Sequence, residues 1–359
     1  GNGRKLSWLR LSRFAGGTET FASPCRYACK MTDLILVSNA ELADACVALR
    51  RGEVIGLPTE TVYGLAGDAR NAEALRQIFA IKGRPADHPL IVHLADAMEI
   101  DDWANDVPES ARKLAAAFWP GPLTMILKRK VNVLDLVTGG QDTIGLRVPN
   151  HPVALALLQA FGSGLAAPSA NRFGHVSPTT AQHVRDEFAD VVPVVLDGGP
   201  CKVGIESTIV DLSGDVPRIL RPGHIAADAI AKVLGVPVGT GAQQASPRVS
   251  GSLASHYAPD TPAERVSTER LDTLIHQALG SGETIRVLAL RHLPNGVHGL
   301  IMPNDPAQYA RHLYAALRSL DGEGAERLLI ETPPDQPEWL AIHDRIARAT
   351  VAPSDDDAP

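Results

Sequence analysis

The sequence predicts an α/β protein in two parts, a larger one built on a mixed sheet and a smaller one built on a parallel sheet. Three observations support this prediction. Short apolar runs alternate irregularly with helix-periodic segments up to about residue 226, which is typical of a mixed sheet. A stretch rich in Gly, Ser, Pro and Gln then interrupts the pattern. A regular alternation of helices and strands follows it, as a parallel sheet requires.

The elements can be justified in chain order from their periodicity. Apolar residues at helical spacing predict helices in the first part over residues 40–50, 72–81, 110–118 and 152–161, with Asn39 as the first cap. Short apolar runs predict strands over residues 54–58, 89–94, 123–127, 143–148, 165–168, 192–196, 207–211 and 218–220. In the second part the same signals predict helices over residues 269–279, 306–320 and 339–349, and strands over 285–290 and 327–331.

Length and composition limit the class of protein. A chain of 359 residues is long enough for two domains, and its 45% hydrophobic residues are ordinary for a globular protein. The net charge of −7 argues against a surface that binds nucleic acid over its whole extent, although a local basic cleft is compatible with it. We predict a basic, non-globular leader over residues 1–30, a first domain over 32–226, a linker over 227–259 and a C-terminal domain over 260–352.

The four cysteines and the hydropathy indicate the compartment. Cys25, Cys29, Cys46 and Cys201 show neither paired spacing nor the histidine partners of a zinc site, so we expect free thiols and no structural metal. No apolar run reaches the ~20 residues that a membrane-spanning helix needs. Both features predict a cytoplasmic protein.

Several well-known catalytic motifs are absent from the sequence. It contains no Gly-x4-Gly-Lys phosphate loop, no Gly-x-Ser-x-Gly nucleophile turn and no His-Glu-x-x-His zinc helix. Gly162-x-Gly164-x-x-Ala167 imitates a dinucleotide-binding motif, but it follows a predicted helix and precedes a strand, the reverse of the required order.

Four cations mark a possible anion site. Lys82 and Arg84 bracket Gly83 after a predicted helix, and Arg147 and Arg221 stand at the ends of short apolar strands. Arginine binds phosphate through two parallel hydrogen bonds and lysine acts as a point charge. Taken singly, the first pair fits an ordinary helix C-terminus and Arg147 fits a structural salt bridge. Together they predict one concave basic site for a phosphorylated ligand.

Hydroxyl and amide side chains accompany the cations at the ends of strands. They occur in the loop 58–65 with Thr59 and Thr61, in the run Ser169-Ala170-Asn171, and at Ser207-Thr208. Such groups offer donors and acceptors to a small polar ligand. Helix capping and turn formation account equally well for each cluster on its own.

These motifs, taken in order, resemble the YrdC/Sua family. The resemblance over residues 38–225 rests on PTETVYGL, KGRP followed by HPL, LRVP, PSAN, ESTIVD and LRPG. The chain beyond resembles the long, two-domain form of that family, whose linker ends in the His-Tyr-Ala-Pro found here at His256 to Pro259. The resemblance implies a YrdC-like twisted mixed sheet, a linker and a small Rossmann-like C-terminal domain.

The same resemblance implies a nucleotidyltransferase reaction. L-Threonine, bicarbonate and ATP, assisted by Mg²⁺, would give threonylcarbamoyl-AMP and pyrophosphate, and a downstream transferase would use the product to modify the adenosine beside the anticodon of tRNA. A double-stranded-RNA-binding factor that uses the same basic cleft is the alternative, and a weak contact with RNA is compatible with either. A carbamoyl-adenylate former of the hydrogenase-maturation type is disfavoured, because such proteins carry acylphosphatase and zinc-finger segments.

Residue roles carried over from the family divide into two sets. Lys82 and Arg84 would act on the reacting phosphate, and Tyr257 would fold over the site as a lid. The residues implied for ATP are Lys82, Arg84, His88, Thr143, Asn171, Thr179, Arg221 and Tyr257. Those implied for threonine and its carbamate are Thr61, His93, Arg147, Ser169 and Ser207.

Overall fold

A nine-stranded mixed sheet forms the centre of the first part of the protein. The computed structural model describes residues 37–350 except 245, 252 and 254, and the predicted leader over residues 1–30 lies outside them. The strands are β1 (Ile55–Leu57), β2 (Gly64–Asp68), β3 (Ile91–His93), β4 (Leu123–Lys128), β5 (Thr143–Arg147), β6 (Leu165–Ala166), β7 (Thr208–Asp211), β8 (Arg218–Arg221) and β9 (Gly239–Thr240). Their order is β1-β2-β6-β3-β5-β4-β7-β8-β9.

Parallel and antiparallel pairs alternate along much of this sheet. The pairs β3–β5, β4–β7 and β8–β9 are parallel, while β4–β5 and β7–β8 are antiparallel. The mixed sheet predicted from the sequence is therefore confirmed. The parallel pairing of β3 with β5 brings His93 opposite Arg147, so two side chains of the predicted site leave the sheet at the same end.

Helices cover the sheet and supply its apolar partners. They are α1 (Asn39–Arg50), α2 (Ala72–Lys82), α3 (Ile100–Trp103), α4 (Glu109–Phe118), α5 (Asp135–Thr138), α6 (Pro152–Phe161), α7 (Ala181–Phe188) and α8 (Ala227–Leu234). The cap of α1 is Ser38, whereas Asn39 was predicted. Ser38 is the N-cap because its hydroxyl accepts from the Glu41 amide at 3.2 Å, while the Glu41 carboxylate accepts from the Ser38 amide at 2.8 Å.

A four-stranded sheet forms the centre of the second part. Its strands are β10 (Ala263–Val266), β11 (Ile285–Ala289), β12 (Gly299–Ile301) and β13 (Arg327–Glu331), in the order β10-β13-β11-β12. All three strand pairs are parallel, as predicted. The helices are α9 (Thr268–Ser281), α10 (Pro306–Asp321) and α11 (Leu340–Ala349).

One predicted strand is wrong, and four strands of the structure were not predicted. Residues 192–196 form no strand and only bridge to β1, where the Gly56 amide donates to the Val194 carbonyl at 2.9 Å. The strands β2, β9, β10 and β12 were missed. Strand β2 is Gly- and Ala-rich, β9 has only two residues and falls in the predicted linker, and the other two carry few buried apolar residues.

Membrane and thiol predictions can be compared with the described residues. Within them, no helix has the length and apolarity to cross a bilayer. Cys46 and Cys201 are buried free thiols, whereas Cys25 and Cys29 fall outside the described part of the chain.

Candidate functional site

A small cavity of about 50 Å³ lies at the ends of β3, β5 and β8, between the first part and residues of the linker. Eight residues predicted for the site line it, namely Thr61, Arg84, His93, Arg147, Ser169, Ser207, Arg221 and Tyr257. Thr59, Val62, Gly64, Ile91, Ala167, Pro168, Glu206, Ser250, Gly251 and His256 complete the lining. The structure therefore brings residues of both predicted ligand sets into one cavity.

The first pair of cations comes from the end of helix α2. Gly83 ends the helix in the left-handed region, with a φ of 62°, which turns the chain back sharply. The Lys82 ammonium donates to the carbonyls of Ser169 at 2.6 Å and Asn171 at 2.5 Å. Lys82 thus fixes the Ser169–Asn171 turn, and the two motifs that the sequence suggested are in direct contact.

Arg84 extends from this turn to the cavity wall. Its Nη2 donates to the Pro89 carbonyl at 2.8 Å and to the Ser250 hydroxyl at 3.2 Å, while its buried Nε has no hydrogen-bond partner. Burial lowers the pKa of Arg84 to about 10, so its guanidinium stays charged at neutral pH. A buried cation with an unused donor is a group prepared for an anionic ligand.

Arg147, at the end of β5, is the second cation of the cavity. Its Nη2 lies 2.6 Å from Glu60 in a buried ion pair, and its Nη1 donates to the Thr61 hydroxyl at 2.8 Å. The Thr59 hydroxyl donates to the Val62 carbonyl at 2.6 Å, so its 2.9 Å contact with Thr61 must be donated by Thr61. A directed chain of hydrogen bonds therefore runs from Arg147 through both threonines.

Arg221, at the end of β8, is the third arginine of the cavity. It donates to the Ser207 carbonyl from Nε and to the Ser207 hydroxyl from Nη2, each at 3.1 Å. The Ser207 hydroxyl also lies 2.7 Å from the hydroxyl of Thr124 on β4, a residue that no sequence motif singles out. From Nη1, Arg221 donates to the Ser250 carbonyl at 2.9 Å.

His93 presents an uncharged ring to the cavity. It is buried at the end of β3, and its Nδ1 has no hydrogen-bond partner. Burial, together with the charge of Arg147, lowers the pKa of His93 to about 3. At neutral pH the ring is therefore a neutral hydrogen-bonding group.

Five predicted site residues do not line the cavity. The ring of His88 packs edge-on against Phe173, with centroids 5.3 Å apart. Thr143 lines a neighbouring small cavity beneath the linker. Asn171 donates to the carbonyls of Arg172 and His175 and leaves a buried side-chain oxygen unpartnered. The other two are Lys82, described above, and Thr179, whose hydroxyl lies 3.4 Å from His183.

The linker closes the cavity from the outside. Ser250 accepts from Arg84 Nη2 on its hydroxyl and from Arg221 Nη1 on its carbonyl. Its own hydroxyl donates to the Pro89 carbonyl at 2.9 Å. The Tyr257 hydroxyl is buried without a hydrogen-bond partner. A Cβ on Gly251 would come within 2.1 Å of this hydroxyl, so only glycine fits beneath the ring. The backbone of Tyr257 is itself in the left-handed region, with a φ of 62°.

Arg248 fixes the outer end of this linker segment. Its guanidinium donates to Asp87 at 3.2 Å and to the Gly139 carbonyl at 3.0 Å. Its backbone amide donates to the Gln141 side chain at 2.7 Å, and the Gln141 amide donates back to the Arg248 carbonyl at 3.1 Å. The segment is thus attached to the first part of the protein before Ser250, and after it the Ala258 amide donates to the Gly174 carbonyl at 2.8 Å.

Glu206 is the carboxylate in the cavity wall, and sequence reasoning missed it. One of its oxygens accepts from the Ser177 hydroxyl at 2.6 Å. The other accepts from the Tyr314 hydroxyl at 2.8 Å and from Arg345 Nε at 2.9 Å, so helices α10 and α11 of the second part meet it there. Burial raises the pKa of Glu206, but Arg345 and Arg221 outweigh burial and keep the pKa below its ordinary value.

A local sequence signal existed for only part of what was missed. Glu206 lies next to Ser207 in the quoted ESTIVD motif, and Thr59 lies two residues before Thr61. Nothing local could select Thr124, Ser250 or Arg345, which reach the site by tertiary packing. No group of three or more His, Cys, Asp or Glu side chains within the described residues could hold a metal ion, so we assign no protein ligand to Mg²⁺.

Comparison with known proteins gives matches to two family models and to proteins of one activity. Residues 47–223 match a family model described as "Telomere recombination", and residues 225–351 match one described as "Threonylcarbamoyl-AMP synthase, C-terminal domain". A threonylcarbamoyl-AMP synthase of Bacillus subtilis is 38% identical over 336 residues, which cover 90% of this chain and 97% of that protein. One from Pyrococcus abyssi is 35% identical over 313 residues, with 84% and 92% covered.

A solved structure shares the fold at the same level of similarity. The crystal structure of P. abyssi Sua5 complexed with L-threonine superposes with a TM-score of 0.82 at 33% identity, covering 88% of this chain and 95% of that one. These comparisons confirm the family, the fold and the synthase reaction predicted from the sequence, and they do not support the double-stranded-RNA alternative. The chain belongs to the threonylcarbamoyl-AMP synthase family.

Proposed function

We propose that this chain joins L-threonine, bicarbonate and ATP into L-threonylcarbamoyl-AMP within the cavity described above. The threonine amine forms a bond to the bicarbonate carbon, and water leaves to give the carbamate. A carbamate oxygen then attacks the α-phosphorus of ATP, and the bond to pyrophosphate breaks. No covalent enzyme intermediate is required, so catalysis consists of positioning and of charge stabilisation.

The observation that carries this proposal is the convergence of three buried arginines and three hydroxyls on one cavity. Arg84, Arg147 and Arg221 come from three separate elements and lie within the same wall as Thr61, Ser169 and Ser207. Arg147 has Glu60 as its partner, whereas Arg84 is a buried cation with an unused donor, which is costly unless a ligand completes it. A triphosphate beside a small hydroxy-amino acid matches both groups of side chains.

Within this proposal the phosphates lie against Arg84 and Arg221. Ser250 now occupies donors of both arginines, at 3.2 Å and 2.9 Å, and phosphate oxygens would replace it. Lys82 would act through the Ser169–Asn171 turn that it fixes, and Asn171 has a buried oxygen free to accept from the nucleotide. His88, Thr143 and Thr179 stand further out and would border the nucleotide. Mg²⁺ would enter with the triphosphate as part of the substrate.

Threonine and its carbamate lie on the other side of the cavity in this proposal. Arg147 would bind the threonine carboxylate, since its partner Thr61 shares the cavity wall. Ser169 and Ser207 would contact the carbamate, and the neutral His93 would offer a hydrogen bond without adding charge. A positively charged ring there would compete with Arg147, so burial of His93 serves the arrangement.

The linker over residues 227–259 would act as the lid of the site, with Tyr257 as its inner surface. The cavity of about 50 Å³ holds on the order of one or two waters, far below the ~300 Å³ and more of ordinary ligand sites. The linker must therefore leave for ATP to enter and return to exclude water from the unstable carbamate. The adenylate would then pass to a transferase that modifies tRNA.

The test is incubation of the purified chain with ATP, bicarbonate and threonine. Pyrophosphate release and an adenylate of the mass of threonylcarbamoyl-AMP are the expected products, and both should depend on threonine. Parallel reactions contain serine, or no amino acid. Equal pyrophosphate release in those reactions would remove threonine as the substrate.

A further inference from the structure

We propose that Arg345, on helix α11 of the second part, is a positioning residue for this reaction, acting through Glu206 on Ser207 and Arg221. The inference rests on the proposed function, because its effect is expressed as threonine-dependent turnover. It assigns the second part of the protein a direct share in the geometry of the site, beyond holding the lid.

The first line of support is that Arg345 donates hydrogen bonds to both the side chain and the backbone of Glu206. The Arg345 side chain is fully buried, and its Nε donates to the Glu206 carboxylate at 2.9 Å across a sequence separation of 139 residues. Its Nη2 donates to the Glu206 backbone carbonyl at 3.4 Å, so the same guanidinium holds side chain and main chain. That carbonyl belongs to the peptide that links Glu206 to Ser207.

The second line of support is the position of that peptide in the site. Ser207 accepts two hydrogen bonds from Arg221, one on its carbonyl and one on its hydroxyl. A shift of the peptide between Glu206 and Ser207 would therefore move the Ser207 hydroxyl in the cavity wall together with the Arg221 guanidinium that donates to it. Arg345 does not line the cavity itself, so its influence has to pass through the lining residues that it contacts, and Glu206 is the one to which it donates hydrogen bonds.

The third line of support is charge. Glu206 is an ionised carboxylate in the wall of a cavity that has to attract phosphates. Arg345 and Tyr314 take one of its oxygens and Ser177 the other, so Arg221 has no direct contact with it and keeps its donors for Ser207 and Ser250. Without Arg345 the nearest cation to turn to Glu206 is Arg221, and the cavity would lose part of its attraction for ATP.

Arg345 also touches the lid. Its guanidinium carbon lies 5.4 Å from the centroid of the Tyr257 ring, and the Tyr314 ring lies 5.6 Å from the same ring. A single side chain of α11 therefore contacts both the wall residue Glu206 and the inner surface of the linker.

The experiment compares Arg345→Met, Arg345→Lys and the double variant Glu206→Gln/Arg345→Met with two matched arginine controls. Arg327→Met removes ion pairs to Glu264 and Glu283 away from the site. Arg318→Met removes contacts between the two parts, to the Val176 and Ser177 carbonyls and to Glu187, without removing any direct contact with Glu206. Each full-length variant is assayed for folding, for ATP dissociation constant, and for kcat and KM with threonine.

The expected result is a loss of the order of 100-fold in kcat/KM for Arg345→Met, as small displacements near reacting groups cause. The lysine variant should keep the charge and bind ATP normally but lose kcat, because the shorter lysine side chain lacks the planar, forked donors with which Arg345 reaches the Glu206 carboxylate and carbonyl at the same time. The double variant should bind ATP better than Arg345→Met, since the uncompensated carboxylate is gone. Arg327→Met should behave as the wild type.

Three results would overturn the inference. These are a kcat within twofold of the wild type for Arg345→Lys, ATP binding by the double variant no better than by Arg345→Met, and a kcat loss in Arg318→Met as large as in Arg345→Lys. If Arg345→Met does not fold, the lysine and double variants decide. A wild-type chain without threonine-dependent pyrophosphate release refutes the proposed function, whereas an active wild type with unaffected variants refutes this inference alone.

Discussion

The cavity lies next to a second buried and charged region, the Glu206 junction, which consists of Glu206 with Ser177, Tyr314 and Arg345. The two regions differ in how completely their polar groups are hydrogen-bonded. In and beside the cavity, Arg84 Nε, His93 Nδ1, Asn171 Oδ1 and Tyr257 Oη have no hydrogen-bond partner. At the junction, the Glu206 carboxylate accepts from Ser177, Tyr314 and Arg345. Polar groups of the cavity thus lack hydrogen-bond partners, whereas both oxygens of the Glu206 carboxylate have them.

This difference separates groups kept for ligands from groups that hold the structure. An unpaired buried polar group costs about 1–3 kcal/mol, so four of them in one place reduce stability unless a ligand completes them. A fully paired carboxylate can instead fix two parts of a protein relative to each other. Substitutions in the cavity should therefore reduce activity with little loss of stability, and substitutions at the junction should reduce stability first.

The largest effect is expected for Arg84→Ala. Loss of this cation should lower kcat about 100- to 1000-fold, as removal of one charge-stabilising donor does in other enzymes. The free energy of unfolding should stay the same or rise, because a buried cation without a carboxylate partner is removed. Pyrophosphate release and urea denaturation measure the two effects. Arg112→Ala, which removes an exposed arginine paired with Asp101, is the control, and comparable activity in both variants would contradict the role of Arg84.

Tyr314→Phe tests the Glu206 junction. The variant removes one donor to a buried carboxylate without changing the shape of the ring, and the hydrogen bond is worth about 1.5–3 kcal/mol of unfolding free energy. Turnover should change far less than in Arg84→Ala, because Arg345 still holds Glu206. Urea denaturation of both variants gives the comparison directly. An unchanged unfolding free energy would mean that the junction adds nothing to stability.

A pH series sharpens the comparison further through His93. Its folded-state pKa of about 3 lies below the ordinary value of 6.5, so the folded state binds fewer protons than the unfolded state between these values. Stability should therefore fall as the pH is lowered from 6.5 to 5, a range above most carboxyl titrations. His93→Gln should make this slope shallower. The exposed His312→Gln is the control, and equal slopes in all three proteins would refute the buried neutral ring.

The smallest effect is expected for Arg248→Ala, in the linker that closes the cavity. Its ion pair with Asp87 is largely exposed, and such pairs contribute about 0.2–1 kcal/mol. Loosening the linker should favour the open form and lower the apparent KM for ATP by less than about fivefold. Steady-state kinetics over a range of ATP concentrations measures this. An increased KM would show that Arg248 helps to bind ATP.

Local sequence patterns were sufficient for much of the fold, and together with the family resemblance they pointed to eight of the eighteen residues that line the cavity. The apolar runs at β4, β5 and β13 and the helix-periodic segments at α2, α6 and α10 were all recognisable. Strand β2 was hidden because glycine and alanine make three of its five residues, and its strand conformation comes from pairing with β1 and β6. Residues 192–196 have an apolar run but only one bridge, because no neighbouring strand completes a ladder there.

The site residues that could not be predicted are those whose partners are distant in the chain. Arg84, Arg147 and Arg221 stand out as cations beside apolar elements, and that signal is local. Arg345 lies within an ordinary amphipathic helix end, and its contact with Glu206 depends on how α11 packs against the first part. Thr124 looks like any strand threonine until Ser207 is placed beside it at 2.7 Å. Tertiary packing determines these roles.

The Arg345–Glu206 contact also limits how the two parts of this chain could be exchanged. A chimera that combines the first part of one relative with the second part of another would need a carboxylate at position 206 and a guanidinium at position 345 that fit each other. A mismatched pair would leave a buried charge without its partner, at a cost of several kcal/mol. The two parts are consequently not interchangeable modules. Substitutions on α11 are constrained by Glu206 in the cavity wall, which lies 139 residues before Arg345 in the chain.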